Sequence, residues 1–231
     1  LVYKFYKNSD IEQYLAPTKW DENYLIYITK DTDINLFPKI KAHLSKYRRF
    51  TELKREYVEG KLPWYSLHWA REIDIFTSKD KIVLPYRNKR NIFAYCEENF
   101  FGSKDILYIR KKEENINLKY ILALLNSKLY YYWLWNFGKR KGGVLELYVT
   151  PVSEIPIKYI NIGKQQELIE IIDLIIKTIN NKILEDNKKG KKIAEYRDYI
   201  DKSVYEIYDL SEEEIKIIEL LYETNLKEWS L

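Results

Sequence analysis

At 231 residues, 46% apolar and 32% charged, the chain is long enough to bury a core and polar enough to carry a busy surface. No run approaches 18 apolar residues, which excludes a membrane-spanning helix, and no signal-peptide pattern opens the chain. The formal net charge is only +4, but residues 1–162 hold 28 Lys and Arg against 19 Asp and Glu, while residues 163–231 hold 11 against 16. A basic body suited to a polyanion and an acidic tail are therefore expected.

In chain order, "YLIYI" (Tyr24–Ile28) reads as a strand. From Phe37 to Gly60, Ile40, Leu44, Tyr47 and Leu53 fall at helical spacing, with Pro38 in the first turn and Gly60 at the end. Residues 61–110 read as short strands, "PWYSL", "EIDIF", "KIVLPY", "NIFAY" and "ILYIR", separated by turns. A helix of about five turns follows from Asn117 to Asn136, apolar over most of its surface and so expected to be buried. Next come a glycine-hinged basic loop, "GKRKGG", and the strand "VLELYV".

In the tail, Leu168, Ile172, Ile175, Ile179 and Ile183 mark one amphipathic helix. A break is expected at Gly190, then further helix, with Ser211 and Glu214 placed as a capping box. The pattern predicts an α+β fold: a curved, mostly antiparallel sheet with a buried helix, followed by a C-terminal helical segment. Residues 1–162 form the body and 163–231 a helical segment packed on it. The start at Leu1 and the lack of any methionine read as a piece of a longer protein.

A lone cysteine, Cys96, excludes an internal disulfide and favours a reducing, cytoplasmic setting. With only His43 and His68, no zinc cluster of ordinary spacing can be assembled. The basic loop lacks both the P-loop and the G-x-G-x-x-G spacing. Its three cations, Lys139, Arg140 and Lys141, read either as solvated surface or as phosphate contacts, with Gly142 letting the backbone approach. A second cationic turn, "YRNKRN", supplies Arg87, Asn88, Lys89, Arg90 and Asn91, and "KLPWYSLHWAREID" gathers Trp64, Tyr65, His68, Trp69 and Arg71. The aromatic cluster reads first as an edge of the core.

Two other classes compete. Acid-x-Lys triplets, Glu52–Lys54, Glu59–Lys61 and Glu214–Lys216, could belong to a metal-dependent nuclease, but a chain this charged holds such triplets by chance. The stripe from Leu168 to Ile183 could serve a helical protein-interaction or assembly module.

The succession from "SDIEQYL" through "KIVLPYR", "NIFAY" and "LKYILALLNSKLYYYWLW" to "KRKGG" and "VTPVSEIPI" resembles the TaqI-like C-terminal specificity domain. That domain is the target-recognition part of adenine-N6 DNA methyltransferases and type IIG restriction–modification enzymes. The resemblance runs from about Ser9 to Glu219. It implies a non-catalytic module that binds duplex DNA beside an upstream methyltransferase domain, where S-adenosylmethionine is held. Neither N-P-P-[YF] nor a glycine-rich cofactor motif occurs here, so no cofactor is expected in this segment. On that reading Lys89, Arg90, Lys139, Arg140 and Lys141 meet phosphates. His68, Arg71, Arg87, Asn88 and Asn91 are then candidates for base contacts, and no membrane partner is implied.

Overall fold

The computed structural model describes residues 1–112 and 117–227. The first half contains β1 (Val2–Tyr6), β2 (Tyr14–Leu15), β3 (Tyr24–Ile26), α1 (Pro38–Ser45), α2 (Arg48–Thr51), α3 (Arg55–Val58) and α4 (Ile73–Thr77). Then come β4 (Lys81–Pro85), β5 (Arg87–Asn88), β6 (Ala94–Cys96), β7 (Phe101–Gly102) and β8 (Ile106–Arg110). The second half runs α5 (Leu118–Leu125), α6 (Lys128–Phe137), β9 (Lys139–Lys141), β10 (Val144–Glu146), α7 (Val149–Ser153), α8 (Ile162–Asn180), α9 (Asp186–Ile207) and α10 (Glu212–Lys227).

These strands form three small sheets, ordered β2-β6-β4-β8, β3-β1-β7 and β5-β10-β9. Only the β1–β7 and β2–β6 pairings are parallel, so the sheets are mostly antiparallel, as expected. Strand β4 is buried at every position, and its period-2 alternation divides the core. Ile82 and Leu84 face one cluster with α5, α6, α8 and α9, while Val83 faces a second with Tyr6, Ala94, Cys96 and Phe100. Lys81 enters the interior because its ammonium donates to the carbonyls of Ser78 (2.6 Å) and Glu98 (2.5 Å). Burial lowers its pKa.

The long apolar helix is two helices. Ser127 opens α6 as its N-cap, accepting from the Tyr130 N–H at 3.4 Å. The Asn126 side chain exchanges two hydrogen bonds with the Phe93 backbone, at 3.0 and 2.9 Å. Asn91 donates to the carbonyls of Leu125 (2.7 Å) and Ser127 (2.9 Å), fixing the break against the strand β6 connection.

Other expectations need correction. "EIDIF" is helical, as α4, and "PWYSL" is a turn; residues 37–60 split into three short helices without a buried residue. Leu53, expected on an apolar face, is 81% exposed. Gly190 lies inside α9, and the break falls at residues 181–185, where Asn181 Oδ1 accepts the N–H groups of Ile183 and Leu184. Ile183 therefore leaves the apolar stripe, while Leu168, Ile172 and Ile175 are buried against the chain's own body. The capping box at Ser211 and Glu214 forms in both directions.

Tail and body are joined by polar contacts as well. Asp201 Oδ1 accepts the Lys128 N–H at the start of α6 (2.8 Å), and Lys128 Nζ meets Glu219 at 2.6 Å. The Tyr130 hydroxyl, paired with that of Tyr208 at 2.6 Å, lies at the same distance from the Pro156 carbonyl. No helix among the described residues is long and apolar enough to cross a membrane.

Candidate nucleic-acid interface

The basic loop of the sequence is a β-hairpin. Gly138 ends α6, donating to the Leu134 carbonyl at 3.0 Å, and a Cβ there would run into that same oxygen. The chain then extends as β9, turns through Gly142 and Gly143, and returns as β10. Gly142 has φ +59, the left-handed geometry that two-residue hairpin turns require. Its side-chain position opens onto free space.

Strand β10 pairs on its other edge with β5, so the two cationic segments of the sequence meet on one three-stranded ribbon. Register decides which side chains share a face. Glu146 stands between Arg87 and Lys139; Leu145 stands between Asn88 and Arg140. Leu145 is buried in the main core and anchors the ribbon, while all three residues of β9 are exposed.

Arg87 donates Nε and Nη2 to Glu146 Oε1, at 2.9 and 2.6 Å. Glu146 is only 5% exposed, and its Oε2 lies 4.0 Å from Lys139 Nζ. Beneath the cations sit two tyrosines in edge contact, Tyr86 and Tyr148, with ring centroids 5.0 Å apart. Arg87 lies over Tyr86 at 4.7 Å and Lys139 over Tyr148 at 4.9 Å. Arg140 stacks over Trp135 at 4.4 Å, and Trp135 stacks on the buried Tyr131. The cations thus project from an aromatic support, a geometry that holds a positive charge without neutralising it.

Asn88 Oδ1 accepts the Arg90 N–H at 3.1 Å and shapes the turn that carries Lys89 and Arg90. Asn91 follows that turn but is fully buried in the α5–α6 junction, with its Oδ1 lacking a hydrogen-bond partner. Arg71 is fixed elsewhere, donating to the carbonyls of Ile106 (2.8 Å) and Ser103 (2.9 Å). His68 belongs to the α2–α3 lobe, where Nε2 lies 2.7 Å from Glu56 Oε1. The fold therefore gathers Arg87, Asn88, Lys89, Arg90, Lys139, Arg140, Lys141 and Gly142, and places His68, Arg71 and Asn91 in other surroundings.

Sequence reasoning missed Glu146, Tyr86, Tyr148 and Trp135. The signal for Glu146 was the alternation in "VLELYV", which sets it opposite to Leu145.

The acid-x-Lys triplets are spent locally. Glu52 pairs with Arg48, Glu59 with Arg55 and Lys61, and Glu214 caps its own helix. Among the described residues no group of three His, Cys, Asp or Glu could hold a metal ion. Cys96 is buried, and burial pushes its thiol up, away from the reactive thiolate.

The chain is of the class of specificity domains found in restriction–modification methyltransferases. More narrowly, the TaqI-like C-terminal specificity domain matches residues 3–157, and the chain belongs to that family. It is similar to the type II methyltransferase M.HindII of Haemophilus influenzae, 29% identical over 165 residues, 67% of this chain and 32% of the relative. M.HincII, from the same species, is 29% identical over 163 residues, 66% of this chain and 32% of the relative. The chain thus spans about a third of the length of these curated relatives. Among solved structures, its fold matches the type IIL restriction–modification enzyme MmeI in complex with DNA. The TM-score is 0.66 at 18% identity, over 100% of this chain and 31% of that one.

Proposed function

We propose that this chain is the target-recognition module of an adenine-N6 DNA methyltransferase and binds duplex DNA through the β5-β10-β9 ribbon. The observation that carries the reading is the meeting of two cationic segments, about fifty residues apart in sequence, on one ribbon whose outer strand β9 is exposed. The β9–β10 hairpin at its edge is a two-stranded element of the kind the major groove admits, and there each base pair presents its own donor and acceptor pattern. Lys89, Arg90, Lys139, Arg140 and Lys141 contact phosphates and set the register; Arg87 and Asn88 face base edges. The Gly142 turn lets the backbone approach closely.

On this reading residues 1–162 form the DNA-reading part and residues 163–231 brace it. The chain performs no chemistry itself. A methyltransferase domain of the same polypeptide, outside this segment, holds S-adenosylmethionine and the flipped adenine.

Mapping modified bases in a host that expresses the full-length protein tests this. A single adenine motif that weakens when Lys139, Arg140 and Lys141 are changed to Ala, at equal protein level, is expected. A motif that survives the triple change intact refutes the ribbon as the DNA contact.

A further inference from the structure

Glu146 is the one acid among the residues of β5, β9 and β10, on a ribbon otherwise suited to a polyanion. Close to phosphates a carboxylate costs affinity by simple charge repulsion, so its place there needs a reason. The geometry supplies one. Both of these hydrogen bonds from Arg87 reach a single oxygen of Glu146 and use the Nε edge of the guanidinium. The opposite end of the fork, formed by Nη1 and the second hydrogen of Nη2, is not used by these bonds. That end presents two parallel N–H donors, the geometry of a bidentate contact to O6 and N7 of guanine in the major groove.

Two contacts fix the plane of the group: the carboxylate at one edge and the Tyr86 ring, 4.7 Å away, beneath. The Arg87 side chain is 41% exposed and its partner 6%, so the reader faces outward and its support stays covered. We propose that Glu146 is a positioning residue that presents the outer fork of Arg87 to a guanine, giving the target one obligatory G:C position. This inference rests on the DNA-recognition reading above. It extends that reading by giving one base contact a chemical identity and a support.

A randomised duplex DNA pool, captured by the full-length protein and sequenced, provides the test. The wild-type protein is expected to enrich a motif with one G:C position preferred about 5- to 150-fold, the span of a bidentate base contact. R87K keeps the charge but not the planar fork, and should flatten that position alone. E146A should flatten the same position while affinity for unrelated DNA stays equal or rises, because an acid has left the ribbon. E146Q retains an acceptor oxygen and should restore the preference.

A merely structural Glu146 predicts instead that E146A weakens every position together, and that result overturns the proposal. So does a position lost in E146A but kept in R87K, the pattern of a carboxylate that reads cytosine directly. If E146A does not fold, R87K decides: an unchanged motif in R87K overturns the positioning role. A wild-type pool that yields no motif overturns the recognition reading, and this inference with it. An enriched motif that R87K and E146A leave intact overturns this inference alone.

Discussion

Salt dependence separates cations that touch phosphates from cations that only face water. Each phosphate contact on duplex DNA contributes about −0.9 to the slope of log K against log salt. Lys139, Arg140 and Lys141 are all exposed on β9. Lys139 shares Glu146 at 4.0 Å, but with 63% of its side chain exposed such a pair is weak and leaves its charge available. Changing all three to Ala should therefore flatten the slope by about 2.7. Between 50 and 200 mM salt that difference amounts to about 40-fold in relative affinity, on the same rule.

Arg87 provides the contrast. Its charge is matched by a nearly buried carboxylate at 2.6 Å, so R87A should lower affinity at the correct site yet change the slope by much less than about 0.9. The assay is a fluorescence-anisotropy titration of full-length protein on duplex DNA at four or five salt concentrations. An unchanged slope in the triple variant, or an R87A effect equal to that of K141A, refutes the assignment of charges on the ribbon.

Two further predictions concern the support beneath the ribbon. Burial pushes the Asp201 carboxyl up from 3.8 to about 7, outweighing the Lys128 N–H bond and the Lys128 ammonium, 3.8 Å away, that pull it down. The native state thus holds this proton more tightly than the unfolded chain does. The resulting stability is fully present below about pH 4 and lost as pH rises through about 7, a loss of about 3 kcal/mol between pH 5 and pH 8. D201N should flatten that decline in urea melts, and an identical pH profile in the variant would contradict the account. N91A should cost about 2–3 kcal/mol by stripping the Leu125 and Ser127 carbonyls of their donor, while leaving the salt slope unchanged. Wild-type stability together with altered base preference in N91A would return Asn91 to the DNA face.

How much of this was legible beforehand depended on range. Local signals held: the short apolar strand run of β4, the apolar faces of α5 and α8, and the Ser211–Glu214 box depend on neighbours within a turn or two. Signals whose meaning depends on distant partners failed. Asn126 and Ser127 sit inside a continuous apolar pattern, and their breaking role needs Phe93 and Asn91, more than thirty residues away. Asn91 looked like a base reader because it follows two cations, yet its partners are the Leu125 and Ser127 carbonyls at the buried α5–α6 junction. Gly190, a breaker by propensity, costs α9 only about 1 kcal/mol relative to Ala, which the packing of a 22-residue helix absorbs. The two cationic segments were visible separately; their meeting depends on the pairing of β10 with β5, a contact no local pattern encodes.

The same distinction bears on net charge. The body's excess of cations suggested a polyanion partner, but part of that excess is spent inside the molecule. Lys119 pairs with Asp173, Lys128 with Glu219, and Lys158 with Asp209, so the acidic tail neutralises lysines of the body it covers. An approaching duplex is sensitive to charge within about one Debye length, about 8–10 Å at ordinary salt, and only where that charge is exposed. What counts is the exposed row on β9, raised on Trp135 and Tyr148, with one acid beside it that holds Arg87. The case for DNA recognition therefore stands on the ribbon, and would stand equally if the chain's overall charge were zero.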